Sequence, residues 1–292
     1  DRSPSRGLGD VYKRQVVVNL VESGAIGTAE TLMNAIKEKD VPAVFFNRAV
    51  STDNAEAAEL FKGYEKSAFI GTDFTQAGIM QGKMVGQYVL DHYDELDLNK
   101  DGKISYVMFK GDEANQEAIA RTKYGVECAD EVLTAAGKPA LEFYDAGNAN
   151  KYLVDLNGTW SNTASFDYMQ TILAQYNEAN GNMVELVICN NDDMALGAIN
   201  ALSNAGYNLA GGEGCTVIPV FGVDATDAAK ELIANKRMTG SIKQDAEGMA
   251  DAVATITANL IAGKDKFEGL NENYEFVDGW TVNIPYSVYT GE

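Results

Sequence analysis

The stretch VELVICNNDDMALGAIN, residues 184–200, decides the fold class. It opens with a continuous apolar run, passes through the polar group NNDD, and continues as a segment with helical character. A continuous apolar strand that leads into a helix is typical of a parallel sheet covered by helices on both faces. We therefore expect a strand, a polar junction and a helix here.

The same alternation extends in both directions, from Val16 to about Gly263. The predicted strands are VVVNL, PAVFFN, SAFIGT, ISYVMF, ALEFYD, VELVICN, VIPVFGV and TGSI. The predicted helices include TAETLMNAIKEKD, TQAGIMQGKMVGQYVLDHY, NQEAIARTKYGVECADEVLTAAG, SFDYMQTILAQYNEAN, DMALGAINALSNAG and ATDAAKELIANK. This order predicts a doubly wound α/β architecture with parallel sheets. The 292 residues suffice for two domains.

Side chains with amide or carboxylate groups follow the predicted strands. They are Asn47, Asp73, Asp112, Asn190, Asn191, Asp192, Asp224 and Gln244. Each one alone is better explained as the N-cap of the next helix. Ligands of such sheets bind beyond the carboxyl ends of the strands, however, and these groups can donate to or accept from hydroxyls. Their recurrence therefore indicates a site for a polyol.

The segment DLNKDGKISYVMF, residues 97–109, begins like a calcium loop of the EF-hand type. The positions that fit are Asp97, Asn99, Asp101, Gly102, the Lys103 carbonyl and the Ser105 hydroxyl. The twelfth position, which should be a bidentate Glu, is Met108, and a strand follows the loop instead of a helix. From the loop alone two interpretations stay open. One is a calcium site closed by a distant carboxylate, and the other is a turn rich in Asn, Asp and Gly.

Composition excludes several classes of function. The formal charge of −20 disfavours nucleic acid and anionic membranes as partners, and no apolar run is long enough to span a bilayer. There is no dinucleotide fingerprint, P-loop or nucleophile elbow, and GGEG at Gly211 is expected to be a surface turn. The single His and three scattered Cys offer no metal cluster or triad.

Residues 1–15, DRSPSRGLGDVYKRQ, differ from the rest of the chain. They are basic and aperiodic, and SRGLGDVYKRQ resembles the in-frame translation of a transposase-based sequencing adapter. We interpret residues 1–15 as a non-native segment. The native amino end, together with any signal peptide, is then expected to be missing.

Six segments carry a specific resemblance: VPAVFFN, GTDFTQAGIMQG, DLNKDGKI, AIARTKY, VICNNDDMALGAI and VIPVFGVDA. With them the chain resembles the periplasmic galactose/glucose-binding proteins of sugar ABC transporters, within the type I periplasmic binding proteins, from Val16 to about Tyr286. The resemblance implies two domains joined by a three-segment hinge near Thr72, Gln244 and Asn283. The amino-terminal domain would hold residues 16–72 and 245–283, and the carboxy-terminal domain residues 73–244 and 284–292. Without the family's first strand, the first domain is expected to be incomplete, with an exposed edge at VVVNL.

The resemblance also implies a sugar site. Its residues would be Asn47, Asn115, Glu117, Arg121, Trp160, Asn191, Asp224 and Gln244. Trp160 would stack on the sugar ring, although by itself it is equally explained as a packing residue of a hinge loop, and Arg121 as a solvated charge. Asn115, Glu117 and Gln244 stand where the family commonly has His, Asp and Asn, which leaves the preference among hexoses open.

For the loop, the resemblance implies a structural calcium ion whose missing carboxylate comes from Glu185. The ligands would be Asp97, Asn99, Asp101, the Lys103 carbonyl, Ser105 and Glu185. The family usually has Gln in place of Ser105. Such an ion stabilises the fold because it binds only the native state.

The implied function is capture of galactose or glucose in a cleft between the domains and delivery to an ABC permease or a chemoreceptor. The protein is expected to be a monomer outside the cytoplasmic membrane, either in a periplasm or lipid-anchored. Two alternatives are the effector-binding core of a LacI-type transcriptional regulator and a sugar enzyme. The negative charge and the calcium loop oppose the regulator, and no paired carboxylates or activated nucleophile support an enzyme.

Overall fold

A computed structural model describes residues 15–22, 24–51, 53–210 and 214–291. Nearly all of the predicted non-native segment and the turn predicted at Gly211 lie outside these ranges. The chain divides into two compact units. The first runs to Asp73 and resumes over Asp245–Pro285, and the second comprises Phe74–Gln244 and the chain from Tyr286 onward. The sequence predicted the crossings near Thr72, Gln244 and Asn283.

Helices and strands alternate through most of the described chain. In chain order they are β1 (Val16–Val18), α1 (Ile26–Glu38), β2 (Ala43–Phe46), α2 (Asn54–Phe61), β3 (Ser67–Gly71), α3 (Gln76–Asp91), α4 (Tyr93–Leu96), β4 (Ser105–Lys110), α5 (Gln116–Ala135), β5 (Glu142–Phe143), β6 (Leu153–Val154), α6 (Asn162–Leu173), a 3₁₀ turn (Glu178–Asn180), β7 (Leu186–Cys189), α7 (Asp192–Asn204), β8 (Val220–Asp224), α8 (Asp227–Ala234), β9 (Gly240–Lys243), α9 (Ala246–Ala262), β10 (Glu275–Val277), β11 (Thr281–Asn283) and β12 (Ser287–Tyr289). The predicted α/β architecture in two domains is confirmed.

The first unit is built on a sheet of order β1-β2-β3-β11-β10. Val44 and Ile70 belong to an apolar cluster with residues of α9, whereas Phe45 and Phe69 belong to another with residues of α1 and α2. Successive residues of a strand face opposite sides of the sheet. Helices therefore cover both faces, which explains why its central strands are continuously apolar.

The second unit has the sheet order β12-β9-β8-β7-β4-β5, and β6 also pairs with β4. Its central strands β9, β8, β7 and β4 run parallel. Val187 and Ile188 at the centre of β7 are fully buried. The carboxyl ends of β4, β7 and β8 lie at one edge of the sheet, because these strands are parallel neighbours.

The prediction of parallel sheets needs a correction, since each sheet carries an antiparallel edge strand. β10 pairs antiparallel with β11, and β12 pairs antiparallel with β9. Asp278, Gly279 and Trp280 join β10 to β11, and the first two have φ of 55° and 70°. Asp-Gly suits such a turn because it accepts positive φ. The strand predicted as ALEFYD is also shorter, with only Glu142 and Phe143 paired to β4.

Candidate functional site

In the second unit, the polar residues beyond the carboxyl ends of the strands centre on Arg121. This residue lies on α5, the helix that follows β4 in the chain, and is only 4% exposed. Its Nη1 donates to the Asn190 carbonyl at 2.9 Å, and its Nη2 donates to the Tyr286 hydroxyl at 3.3 Å. Its Nε–H has no hydrogen-bond partner among the described residues. A buried guanidinium whose Nε–H has no partner is suited to a polar ligand, because an unpaired buried donor is costly.

An aromatic ring and a carboxylate accompany the guanidinium. The Cζ of Arg121 lies 5.5 Å from the centroid of the Trp160 ring, close enough for a cation–π interaction. Asp224 ends β8 with a backbone φ of 115°. Burial raises the pKa of Asp224 to about 6, although the positive charge of Arg121 acts in the opposite direction. The site thus combines a donor, an apolar ring and a carboxylate that ionises near neutrality.

Asn115 and Asn191 are N-caps in the structure. The Oδ1 of Asn115 accepts from the Ala118 N–H at 3.1 Å, and that of Asn191 accepts from the Met194 N–H at 3.0 Å. The caps fix both side chains at the starts of α5 and α7. Their amide N–H groups are then the part that can serve a ligand.

The other predicted sugar residues are placed as follows. Glu117 lies in the first turn of α5, and its buried Oε2 has no partner within the described ranges. Gln244 follows β9 and is half-buried. Asn47 follows β2 in the first unit, where it has a φ of 65° and donates its N–H to the Ile70 carbonyl.

The sequence did not indicate that Tyr286 contacts Arg121, and it marked Asp192 only as a polar residue at a strand end. Asp192 is fully buried, and its carboxylate accepts from the Thr226 N–H and the Ser241 hydroxyl, both at 2.7 Å. Burial raises its pKa to about 6. No local signal marks Tyr286, because its partner Arg121 is 165 residues away.

The predicted calcium loop lies at the amino end of β4 and is held by Glu185. This carboxylate is 1% exposed. Its Oε1 accepts from the Leu98 N–H and its Oε2 from the Ser105 N–H, both at 2.8 Å. Burial raises its pKa in spite of these hydrogen bonds. The distant Glu therefore contacts both ends of the loop.

Within the loop, side-chain oxygens face the loop's own backbone. Asp97 accepts from the N–H groups of Asp101 and Gly102, at 3.0 and 2.9 Å, and Asn99 accepts from that of Asp101 at 2.9 Å. In the part of the chain that the structure describes, no three His, Cys, Asp or Glu side chains form a ready metal cluster. The donors are all oxygens, which is the chemistry that Ca²⁺ prefers. The donor set fits calcium in type.

A sequence profile described as "Periplasmic binding protein domain" matches residues 16–265. The chain belongs to this family. It is 32% identical, over 94% of its length and 71% of the relative's, to the D-galactose/methyl-galactoside binding periplasmic protein of Haemophilus influenzae. The resemblance that the sequence indicated is thereby confirmed.

Solved structures of other proteins show the same fold. An ABC transporter periplasmic solute binding protein from Actinobacillus succinogenes with bound D-allose has a TM-score of 0.66 at 16% identity, covering 98% of this chain and 82% of that one. An ABC transporter solute binding protein from Clostridium phytofermentans with bound β-D-glucose has a TM-score of 0.65 at 18% identity, with coverages of 98% and 79%. The type I periplasmic binding protein fold is confirmed. No helix in the described ranges is both long and apolar enough to cross a bilayer.

Proposed function

We propose that the chain acts outside the cytoplasmic membrane, where it binds a hexose of the galactose/glucose type. It would pass this hexose, unchanged, to an ABC permease. The observation that carries this proposal is the buried Arg121, with an unpaired Nε–H beside an aromatic ring and a carboxylate. The other proposed contacts are Asn47, Asn115, Glu117, Asn191 and Gln244.

The chemistry of a pyranose fits these groups one by one. Asp224 can accept from two adjacent hydroxyls, and Arg121 can donate to a ring or hydroxyl oxygen. Trp160 offers an apolar face to the C–H side of the ring. Glu117 adds an acceptor whose buried Oε2 has no partner in the described part of the protein.

The relatives support this class of ligand. The Haemophilus protein is described as binding D-galactose and methyl-galactoside, and the two structures hold D-allose and β-D-glucose. All of these ligands are hexoses or a hexoside. Both structures are of ABC transporter solute binding proteins, which supports an ABC permease as the proposed partner. A chemoreceptor is a second proposed partner of the sugar-loaded protein. The protein is proposed to be a monomer.

A matched pair of variants on α5 tests the site. Arg121→Gln removes the buried guanidinium, and Lys123→Gln removes a half-exposed charge two residues away that pairs with Glu127. We expect Arg121→Gln to weaken D-galactose or D-glucose binding at least about 100-fold in calorimetry, because it removes charged hydrogen bonds. Lys123→Gln should bind like the unmodified chain. Equal binding by both variants would contradict the proposed site.

We also propose that the loop at residues 97–105 binds Ca²⁺. The proposed ligands are the side chains of Asp97, Asn99, Asp101, Ser105 and Glu185 and the carbonyl of Lys103. The oxygen-only donor set and the burial of Glu185 support it. The ion would add stability to the native state and take no part in sugar binding.

A further inference from the structure

The backbone of Trp160 is unusual for so large a side chain. Its φ of 57° lies in the left-handed region, which bulky residues adopt only where their surroundings fix it. Trp160 follows a short loop, residues 155–159, between β6 and α6. The loop and the ring's surroundings must therefore supply what holds this conformation.

Asp155 supplies the hydrogen bonds on the loop side. It is 2% exposed, and its own N–H donates to the Lys110 carbonyl at the end of β4. Its Oδ1 accepts from the Asn157 N–H at 2.9 Å. Its Oδ2 accepts from the Thr159 hydroxyl and from the hydroxyl and N–H of Ser161, at 2.9, 2.9 and 3.0 Å. One buried carboxylate thus ties together the residues before and after Trp160.

The ionised form of this carboxylate is the one that the loop stabilises. Burial acts to raise the pKa of Asp155, but the hydrogen bonds from Ser161, Asn157 and Thr159 outweigh it, and the net pKa is lowered. A charged acceptor that satisfies several donors makes stronger hydrogen bonds than a neutral one. The loop is therefore held by an anion at neutral pH.

The Trp160 ring packs against Gly111, which has no side chain. A Cβ at this position would lie 2.1 to 2.6 Å from Trp160 ring atoms Cδ2, Cε3 and Cγ, so the indole occupies the space that any side chain would need. The Gly111 N–H donates to Asn190 Oδ1 at 3.1 Å, and the Asn190 carbonyl accepts from Arg121. Asn190 thus hydrogen-bonds both to Gly111, against which the ring packs, and to the buried guanidinium of Arg121.

We infer that Asp155 and Gly111 are positioning residues that fix the Trp160 ring before any ligand arrives, so that the loop is a preformed sugar platform. That the platform serves a sugar rests on the proposed function, whereas the fixing of the ring does not. Preorganisation of a contact group raises affinity because less order has to be created on binding. The two parts can be measured separately.

The test uses Trp280→Phe as the background, since the chain has two tryptophans and Trp160 then reports alone. Asp155→Asn is compared with Asp167→Asn, the same loss of charge at an exposed site on α6. Without ligand, we expect Asp155→Asn to raise acrylamide quenching of Trp160 at least about twofold, and Asp167→Asn to leave it unchanged. Hexose affinity should fall on the order of tenfold in Asp155→Asn only. Unchanged quenching in folded Asp155→Asn would overturn the inference.

Gly111→Ala provides a second route that does not depend on the loop. The new methyl group should displace the ring, lower the melting temperature and shift Trp160 emission, whereas in a Trp160→Ala background the same change should have little effect on melting. Equal losses in both backgrounds would overturn the role of Gly111. If the ring behaves as expected but the unmodified chain binds no hexose, the positioning stands and the proposed function fails.

Discussion

At the scale of single residues, the site depends on polar groups that are buried and satisfied only in part. Arg121 keeps an unpaired Nε–H, and Glu117 an unpaired Oε2, within the described structure. The sequence could point to these residues through motif resemblance and strand-end position. It could not reveal that Tyr286 contacts Arg121 or that Asp155 braces Trp160, because those roles exist only after distant segments have packed.

Asp224 predicts a pH dependence of binding. Its pKa, raised to about 6 by burial, means that the carboxyl gains a proton as pH falls from 7 to 5, and a protonated carboxyl accepts hydroxyl hydrogen bonds less well. We expect hexose affinity to fall roughly tenfold over that interval. Asp224→Asn should bind weakly at both pH values without this change. Calorimetry at pH 7 and 5 checks it, and equal affinities for the unmodified chain would contradict it.

At the scale of elements, the strand-to-helix alternation was readable because buried strands leave continuous apolar runs. The hairpin β10–β11 was missed although EFVDGWTVN contains an Asp-Gly turn between apolar residues. β12 has only three residues, and so short a run carries no period that distinguishes a strand from a loop. The strands with longer apolar runs were therefore predictable, whereas the three-residue strands β10, β11 and β12 were not.

The closely packed helices α3 and α5 give a prediction at this scale. A Cβ on Gly82 would lie 2.3 Å from the Tyr124 carbonyl oxygen and 2.8 Å from Cys128 Cβ. Gly82→Ala should therefore destabilise the protein by about 1–3 kcal/mol, because the backbones cannot separate without cost. Gly27→Ala on α1, which has open space around it, should be neutral or stabilise by up to about 1 kcal/mol. Denaturant melts measure both, and equal effects would refute the packing explanation.

At the scale of the whole molecule, the chain returns from the second unit to complete the first. β11 pairs in parallel with β3, although more than two hundred residues separate them in sequence. Local pattern cannot predict such a pairing, and only the family resemblance anticipated that the chain crosses three times. The proposed calcium site is likewise non-local, since Glu185 reaches Leu98 across 87 positions.

Calcium removal should lower the stability of the whole molecule without abolishing sugar binding. At a hundredfold excess over its dissociation constant, an ion that binds only the native state contributes about 2.7 kcal/mol, which corresponds to a few degrees in melting temperature. Chelation should cause this shift in the unmodified chain and not in Glu185→Gln. Glu131→Gln, at an exposed site on α5, should keep the calcium response. If the melting temperature of the unmodified chain changes neither with calcium nor with chelator, the proposed calcium site is contradicted.

The most direct test of the central claim is a calorimetric titration of the full chain with D-galactose and D-glucose, with D-ribose as the comparison. We predict saturable one-to-one binding of at least one hexose at micromolar concentration, weaker binding of ribose, and recovery of the sugar unchanged. If neither hexose binds at millimolar concentration, the claim that the chain is a hexose-binding protein is contradicted.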